Sequence, residues 1–191
     1  MPSHFYAMLS RMKNIYRWGL MRNTRKENLS EHSLEVAFIA HALAVIRNKR
    51  FGGNLNAERI ATAAMFHDTS EIITGDMPTP IKYFNEDIKD AFKQIEALAD
   101  DKLIHLLPED LRDDFYTLYN PTDEEKKIIK AADKLSALIK CIEENAIGNR
   151  EFICAEEATR KSIDSFDMPE VKVFLEEFIP SFSLTLDEQR I

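Results

Sequence analysis

Apolar residues recur along most of the chain at spacings of three and four, the period of a helix that turns one face to a core. Val36, Ile39, Leu43 and Ile46 form one such stripe, and it starts at His32. Leu34, Phe38 and Val45 form a second stripe on the same segment, shared with His41, which reads as structural because no partner pattern surrounds it. Ile60 and Ala64 lead at the same spacing to His67 and then Glu71, with Asp68 beside them. Ile129 lies four residues before Asp133, and Ser136 and Ala137 follow.

The residues between these stripes are helix starts and stops. Ser30 predicts the cap of a helix over about 31–47, broken by Phe51-Gly52-Gly53-Asn54. Asn56 predicts the cap of a second helix over about 57–74, carrying His67 and Asp68 within it. Gly75-Asp76-Met77-Pro78-Thr79-Pro80 predicts a loop, because two prolines so close cannot continue a helix. Further helices are expected over about 86–107, 111–118, 151–166 and 169–178. Thr122 with Glu125 three residues on resembles a capping box, opening a helix that runs to about Ala146 and ends near Gly148. The tail over 181–186 reads as extended. No repeat or long linker divides the chain, so the expected architecture is an all-α, multi-helix single domain over 1–191.

Composition supports this reading: five glycines and a chain rich in Ala, Leu, Ile, Glu and Lys favour helix over sheet. A chain of 191 residues can bury a substantial core. No uninterrupted apolar run approaches the ~20 residues that span a bilayer, and no signal-peptide core is evident. Cys141 and Cys154 are far apart, which fits reduced thiols and a cytoplasmic protein with no membrane partner. The net charge of −8 speaks against a nucleic-acid surface. Charge is unevenly spread: residues 1–26 hold Arg11, Lys13, Arg17, Arg22, Arg25 and Lys26 with no acid, which leaves a balance of −14 on the rest. A local cationic segment on an acidic protein suits a small anion such as phosphate. A transit peptide and a merely solvated helix face are the competing explanations.

His32, His67, Asp68 and Asp133 all fall on or beside apolar faces. Burying a carboxylate costs several kcal/mol unless it is paired or metal-bound. Two imidazoles and two carboxylates suit a borderline divalent cation with open positions, among Mn, Fe, Co, Ni and Zn. The plain alternative is a satisfied core histidine with aspartates paired to nearby Lys or Arg. Glu71, one helical turn from His67, would reach the open face of such a metal and take a proton from a bound water. It could equally be a ligand or an ion-pair partner. His4 and His105 look incidental.

The order His32, His67-Asp68, Asp133 resembles that of the HD-domain phosphohydrolases. More of the chain narrows the likeness: Ser3-His4-Phe5, Tyr16-Arg17-Trp18, Met21-Arg22-Asn23, Glu27-Asn28, Ser30-Glu31-His32-Ser33-Leu34, Phe51-Gly52-Gly53-Asn54, His67-Asp68-Thr69-Ser70-Glu71, Thr74 to Tyr83, Ala131-Ala132-Asp133 and Pro180-Ser181-Phe182. Together they resemble the bacterial HD-domain 5′-deoxynucleotidases over nearly the whole length. That resemblance implies a homodimer and one divalent cation (Co, Mn, Zn or similar) held by His32, His67, Asp68 and Asp133. It implies hydrolysis of deoxyribonucleoside 5′-monophosphates to deoxynucleoside and phosphate. Arg17 would orient the phosphate, and Trp18 would pack on the sugar and disfavour a 2′-hydroxyl. Asp76, Met77, Pro78 and Thr79 would contact the nucleotide, with His32, Asp68 and Asp133 also lining its site. Apolar surface near Phe174, Phe178 and Phe182 would fit the dimer.

The expected chemistry is in-line attack of water at phosphorus, with Glu71 or the metal activating that water, Arg17 neutralising charge and Asp76 beside the leaving 5′-oxygen. Competing readings are an HD phosphohydrolase acting on a triphosphate, and a catalytically silent nucleotide-binding module. A triphosphate asks for more cationic reach than Arg17 and Lys82 offer. A cyclic-dinucleotide phosphodiesterase is disfavoured because no Gly-Tyr-Pro follows His67-Asp68.

Overall fold

A computed structural model describes residues 2–82 and 84–189, so Tyr83 and the extreme ends of the 1–191 span lie outside the described residues. The described residues form helices and no β-strand: α1 (Phe5–Leu9), α2 (Leu29–Phe51), α3 (Ala57–Met65), α4 (Glu71–Thr74), α5 (Thr79–Lys82), α6 (Glu86–Ile104), α7 (Arg112–Tyr119), α8 (Asp123–Ala146), α9 (Ile153–Asp164) and α10 (Pro169–Glu177). The all-α expectation therefore holds.

The central layer is α2 packed on α3, α8 and α10, with α9 against the far side of α8. The predicted stripe Val36, Ile39, Leu43 and Ile46 is buried there, against Ile60, Leu135, Leu138 and Ile139. Each such side chain contributes about 1.5–3 kcal/mol by leaving water. By length and hydropathy α2 could cross a membrane, but it is the core helix of this fold, with 56% of its most apolar window buried. A smaller core lies under α1 and α6, where Phe5, Leu103 and Leu107 pack with Phe66, Ile72, Phe115 and Tyr119.

Capping sets the register of the two longest helices. Thr122 and Glu125 form the predicted box, each side chain bonded to the other's backbone N–H. Asn28, not Ser30, caps α2, its side chain accepting from the N–H groups of Ser30 and Glu31. Asn28 also forms an antiparallel bridge with Tyr16. Two rungs flank that bridge, Arg17 N–H to Glu27 O at 3.0 Å and Leu29 N–H to Ile15 O at 3.0 Å. The bridge ties the loop carrying Arg17 and Trp18 to the first turn of α2, where His32 sits. Gly52 ends α2 in the left-handed conformation at φ 66°, the glycine-favoured way to close a helix.

Several expectations change. The helix expected over 57–74 is broken: α3 stops at Met65 and only α4 resumes it. Two side chains compete for its carbonyls, since His67 Nδ1–H donates to Ala64 O at 2.7 Å and Thr69 Oγ1–H to Phe66 O at 2.8 Å. His67 and Asp68 thus sit in a tight turn between the two cores rather than inside a helix. The proline loop contains the short α5, because Pro80 falls in a first turn where no N–H is needed. The tail forms a 3₁₀ turn, Ile179–Ser183, not an extended strand. Phe174 is only 5% exposed and Phe182 packs on the core, so of the three phenylalanines proposed as an apolar surface only Phe178 is exposed. The stripe with His41 faces outward instead: Leu34 and Phe38 are 47% and 66% exposed and His41 is exposed.

Candidate metal centre

Four pieces of chain meet at one point: the first turn of α2 with His32, the turn after α3 with His67 and Asp68, the middle of α8 with Asp133, and the loop with Arg17. Donor atoms of His32, His67 and Asp68 lie within 4.8 Å of one another. Asp133 Oδ1 is 3.3 Å from His32 Nε2, so the fourth expected ligand joins them.

Hydrogen bonding fixes which nitrogen each imidazole presents. His67 Nδ1 faces the carbonyl of Ala64, which can only accept, so Nδ1 carries the proton. His32 Nδ1 faces Glu27 Oε1 at 3.1 Å and Ser136 Oγ at 3.2 Å. Ser136 spends its own proton on Glu35 at 2.5 Å, so both neighbours of His32 Nδ1 are acceptors. Both Nε2 atoms are therefore bare when the rings are neutral, and both are buried with no hydrogen-bond partner. They face Asp68 Oδ2 at 3.5 Å from His32 and 3.2 Å from His67. Lone pairs set against a carboxylate repel unless a positive charge lies between them.

The electrostatics say the same. Burial pushes the His67 imidazole down, but Asp68 and Asp133 overcome it and hold its pKa up at about 9. The Asp68 and Asp133 carboxyls are held far below their ordinary range despite burial, by the imidazoles and Arg17. This is a pocket that demands a cation, and its two-imidazole, two-carboxylate donor set fits a borderline divalent metal.

Arg17 lies across the cluster. Its Nη1 is 3.2 Å from Asp68 Oδ2, its Nη2 is 3.6 Å from Asp133 Oδ1, and its Nε is 3.7 Å from Glu27 Oε1. It is the residue of the acid-free segment that reaches the site. Arg22 instead pairs with Glu151, and Lys26 lies over the Tyr16 ring. Trp18 follows in the left-handed region at φ 59°, a costly conformation for a residue with a side chain. Its Nε1–H donates to Glu27 Oε2 at 2.8 Å, and its ring rests on Phe152 with centroids 5.3 Å apart.

Glu71 opens α4 and is 5% exposed, with Oε2 unpartnered. Burial, then the charges of Asp68 and Asp76, push its pKa up to about 9. That is the tuning expected of a group that exchanges protons at a site. Gly75, at φ 74° and ψ 161°, adopts a conformation open essentially to glycine alone and turns the chain toward Asp76. The Asp76 carboxyl is raised by burial, an effect opposed by Arg17. Met77 and Pro78 follow half-buried, and Thr79 is exposed at the start of α5. Of these loop residues Asp76 is the one electrostatically joined to Arg17 and Asp68. Lys82 is tied to Glu96 at 2.8 Å.

A cavity of about 290 Å³ opens beside the cluster, lined by His67 and Asp133 together with Phe66, Asp100, Tyr119 and Lys130. Sequence reading did not assign a role to Glu27. The only signal was its place in the Glu27-Asn28 pair, because nothing in local periodicity says that it turns back on Arg17, Trp18 and His32.

Comparison with known proteins agrees with this arrangement. The profile of YfbR-like 5′-deoxynucleotidases matches residues 4–182. The 5′-deoxynucleotidase YfbR of Escherichia coli is 54% identical over 189 residues, covering 97% of this chain and 95% of the relative. An HD-domain phosphohydrolase from Listeria innocua superposes with a TM-score of 0.82 at 26% identity, over 94% of this chain and 88% of that one. The HD phosphohydrolase of cyanophage S-2L, solved with dA and one catalytic Zn²⁺, shares the fold with a TM-score of 0.68 at 19% identity, over 92% of this chain and 96% of that one.

Proposed function

The chain belongs to the YfbR-like 5′-deoxynucleotidase family, and from that premise we propose that it hydrolyses deoxyribonucleoside 5′-monophosphates to deoxynucleoside and phosphate with one divalent cation. The observation that carries the reading is the pair of buried, bare Nε2 atoms of His32 and His67 converging with Asp68 and Asp133 under Arg17.

His32, His67, Asp68 and Asp133 would hold the cation, which when bound supplies Lewis-acid activation of a phosphoryl oxygen and of water. The other steps belong to the protein. The Arg17 fork binds two phosphate oxygens and spreads the charge that builds up on them. Water attacks phosphorus opposite the 5′-oxygen; the new P–O bond forms as the P–O5′ bond breaks. Glu71 takes the proton of that water, and Asp76 holds a proton at the departing 5′-oxygen. Positioning and charge carry such a reaction, with little covalent work for the protein. Trp18, fixed by Glu27 and Phe152, forms the wall against the sugar and disfavours ribose. One guanidinium suits a monophosphate better than a triphosphate.

The reading includes a homodimer and a cytoplasmic location. Exposed Leu34 and Phe38 on α2 support the first, and the free thiols of Cys141 and Cys154 are in keeping with the second.

The test is phosphate release from dAMP and AMP by metal-stripped protein, with Co²⁺, Mn²⁺, Zn²⁺ or Mg²⁺ restored in turn. Cation-dependent cleavage of dAMP with little of AMP is expected. Equal cleavage of both removes the role given to Trp18. No cleavage with any cation returns weight to a triphosphate substrate or a silent module.

A further inference from the structure

Glu27 has one carboxylate and three cationic or N–H neighbours that belong to three different tasks. Oε1 lies 3.1 Å from His32 Nδ1 and 3.7 Å from Arg17 Nε, while Oε2 accepts from Trp18 Nε1 at 2.8 Å. The side chain is 13% exposed, so water does not compete strongly for these contacts. Its backbone is equally committed, with Glu27 O accepting from the Arg17 N–H at 3.0 Å.

We infer that Glu27 is a positioning residue that joins metal retention to sugar selection by orienting His32 through one oxygen and Trp18 through the other. Two physical facts support it. An acceptor on Nδ1 fixes the tautomer that offers Nε2 to the cluster and makes that nitrogen a stronger donor to a cation; a carboxylate does this better than a neutral oxygen. The indole occupies its place at φ 59°, a conformation that persists only where the surroundings hold it. The holders are Glu27 at the ring nitrogen, Phe152 at the ring face, and the Trp18 carbonyl, which accepts from Met21 N–H and Asn23 Nδ2. Of these, Glu27 alone also touches the metal cluster, so a disturbance there reaches both.

Selectivity as a readout rests on the monophosphatase reading above; metal affinity does not. Glu27→Gln supplies one carbonyl oxygen where two acceptors are needed, so it cannot satisfy both partners. Co²⁺ affinity, measured by competition with a chromogenic chelator, is expected to weaken by about 10–100-fold. Trp18 is the single tryptophan, so intrinsic fluorescence reports on it alone, and its emission is expected to shift to the red. The dAMP over AMP preference is expected to fall about tenfold. Circular dichroism verifies that the variant is folded.

Trp18→Phe keeps an aromatic ring for Phe152 and removes only the N–H. It is expected to lower the sugar preference while leaving Co²⁺ affinity intact. Ser136→Ala removes the rival acceptor of His32 and is expected to cost less Co²⁺ affinity than Glu27→Gln. A folded Glu27→Gln with unchanged Co²⁺ affinity and unchanged emission overturns the inference. So does a Ser136→Ala loss exceeding that of Glu27→Gln. If Glu27→Gln does not fold, the other two variants decide: Trp18→Phe that weakens Co²⁺ binding, or leaves the preference unchanged, overturns it. If wild-type protein cleaves no monophosphate, the proposed reaction fails while the Co²⁺ and fluorescence arms still judge Glu27.

Discussion

One face of α8 carries two buried polar clusters that differ in a single respect. Toward its C-terminal end Lys140 Nζ donates to Arg25 O at 2.6 Å and to Glu144. Glu144 also accepts from the Thr24 and Arg25 N–H groups at 3.0 Å and 3.2 Å and from Asn149 Nδ2 at 2.7 Å. Every charge there is answered, and the cluster clamps the loop ahead of Glu27 to the helix. Two turns earlier Asp133 and Ser136 face His32, where the imidazole Nε2 atoms and one Glu71 oxygen are left unanswered. Both clusters are buried and both contain ionisable groups, so burial of charge does not mark the site. Unspent bonding capacity does. A satisfied cluster is a fastening; one with converging orphaned atoms is built for something that arrives later.

The largest effect that separates them is kinetic. His67→Ala removes one of the unanswered nitrogens, and turnover with dAMP is expected to fall on the order of 10³-fold, several kcal/mol of barrier. The thermal midpoint of the metal-free variant is expected to stay near that of the wild type, because no native partner is lost beyond the Ala64 carbonyl contact. A midpoint drop as deep as that of a Glu144 variant would erase the contrast.

The converse experiment is Glu144→Ala. It strands the Lys140 ammonium and two backbone N–H groups, and stability is expected to fall by about 3–5 kcal/mol. For a chain of this size that corresponds to a midpoint lower by roughly 6–20 °C in calorimetry. Co²⁺ affinity is expected to change far less than in His67→Ala; a comparable loss would mean that the two clusters are one unit.

A smaller effect lies in acid. Burial would raise the Glu144 carboxyl, but Lys140, Asn149 and the backbone donors bring it down to about 2. In the unfolded chain it titrates near 4.3. Its folded pKa is the lower, so its stabilisation is complete above the unfolded value and is lost as pH falls from about 4.3 toward 2. Denaturant unfolding of the wild type is expected to weaken over that window, and more steeply than in Glu144→Gln. Equal slopes would remove Glu144 as the titrating fastener.

Much of this was legible in one dimension. The stripe from His32 to Ile46, the Thr122–Glu125 box and the long α8 follow from periodicity and caps. The helix through His67 did not survive, because two side chains took carbonyls that the helix needed, and that competition depends on packing between two cores. The outward turn of Leu34 and Phe38 was equally hidden: a helix with apolar residues on two faces does not say which one the core will cover. The ligand set was read from its order in the chain, whereas Glu27 was not, since its contacts cross from the loop to the helix.

Sequence alone therefore determined the helical class, the caps and the residue types able to hold a cation. These depend on local backbone preference and on the chemistry of each side chain. Tertiary structure decided the tautomers of His32 and His67, the reach of Arg17 alone among six basic residues, and which buried charges remain unpaired. Those depend on which groups meet across the fold, and hydrogen-bond valence is counted only once the chain has brought them together.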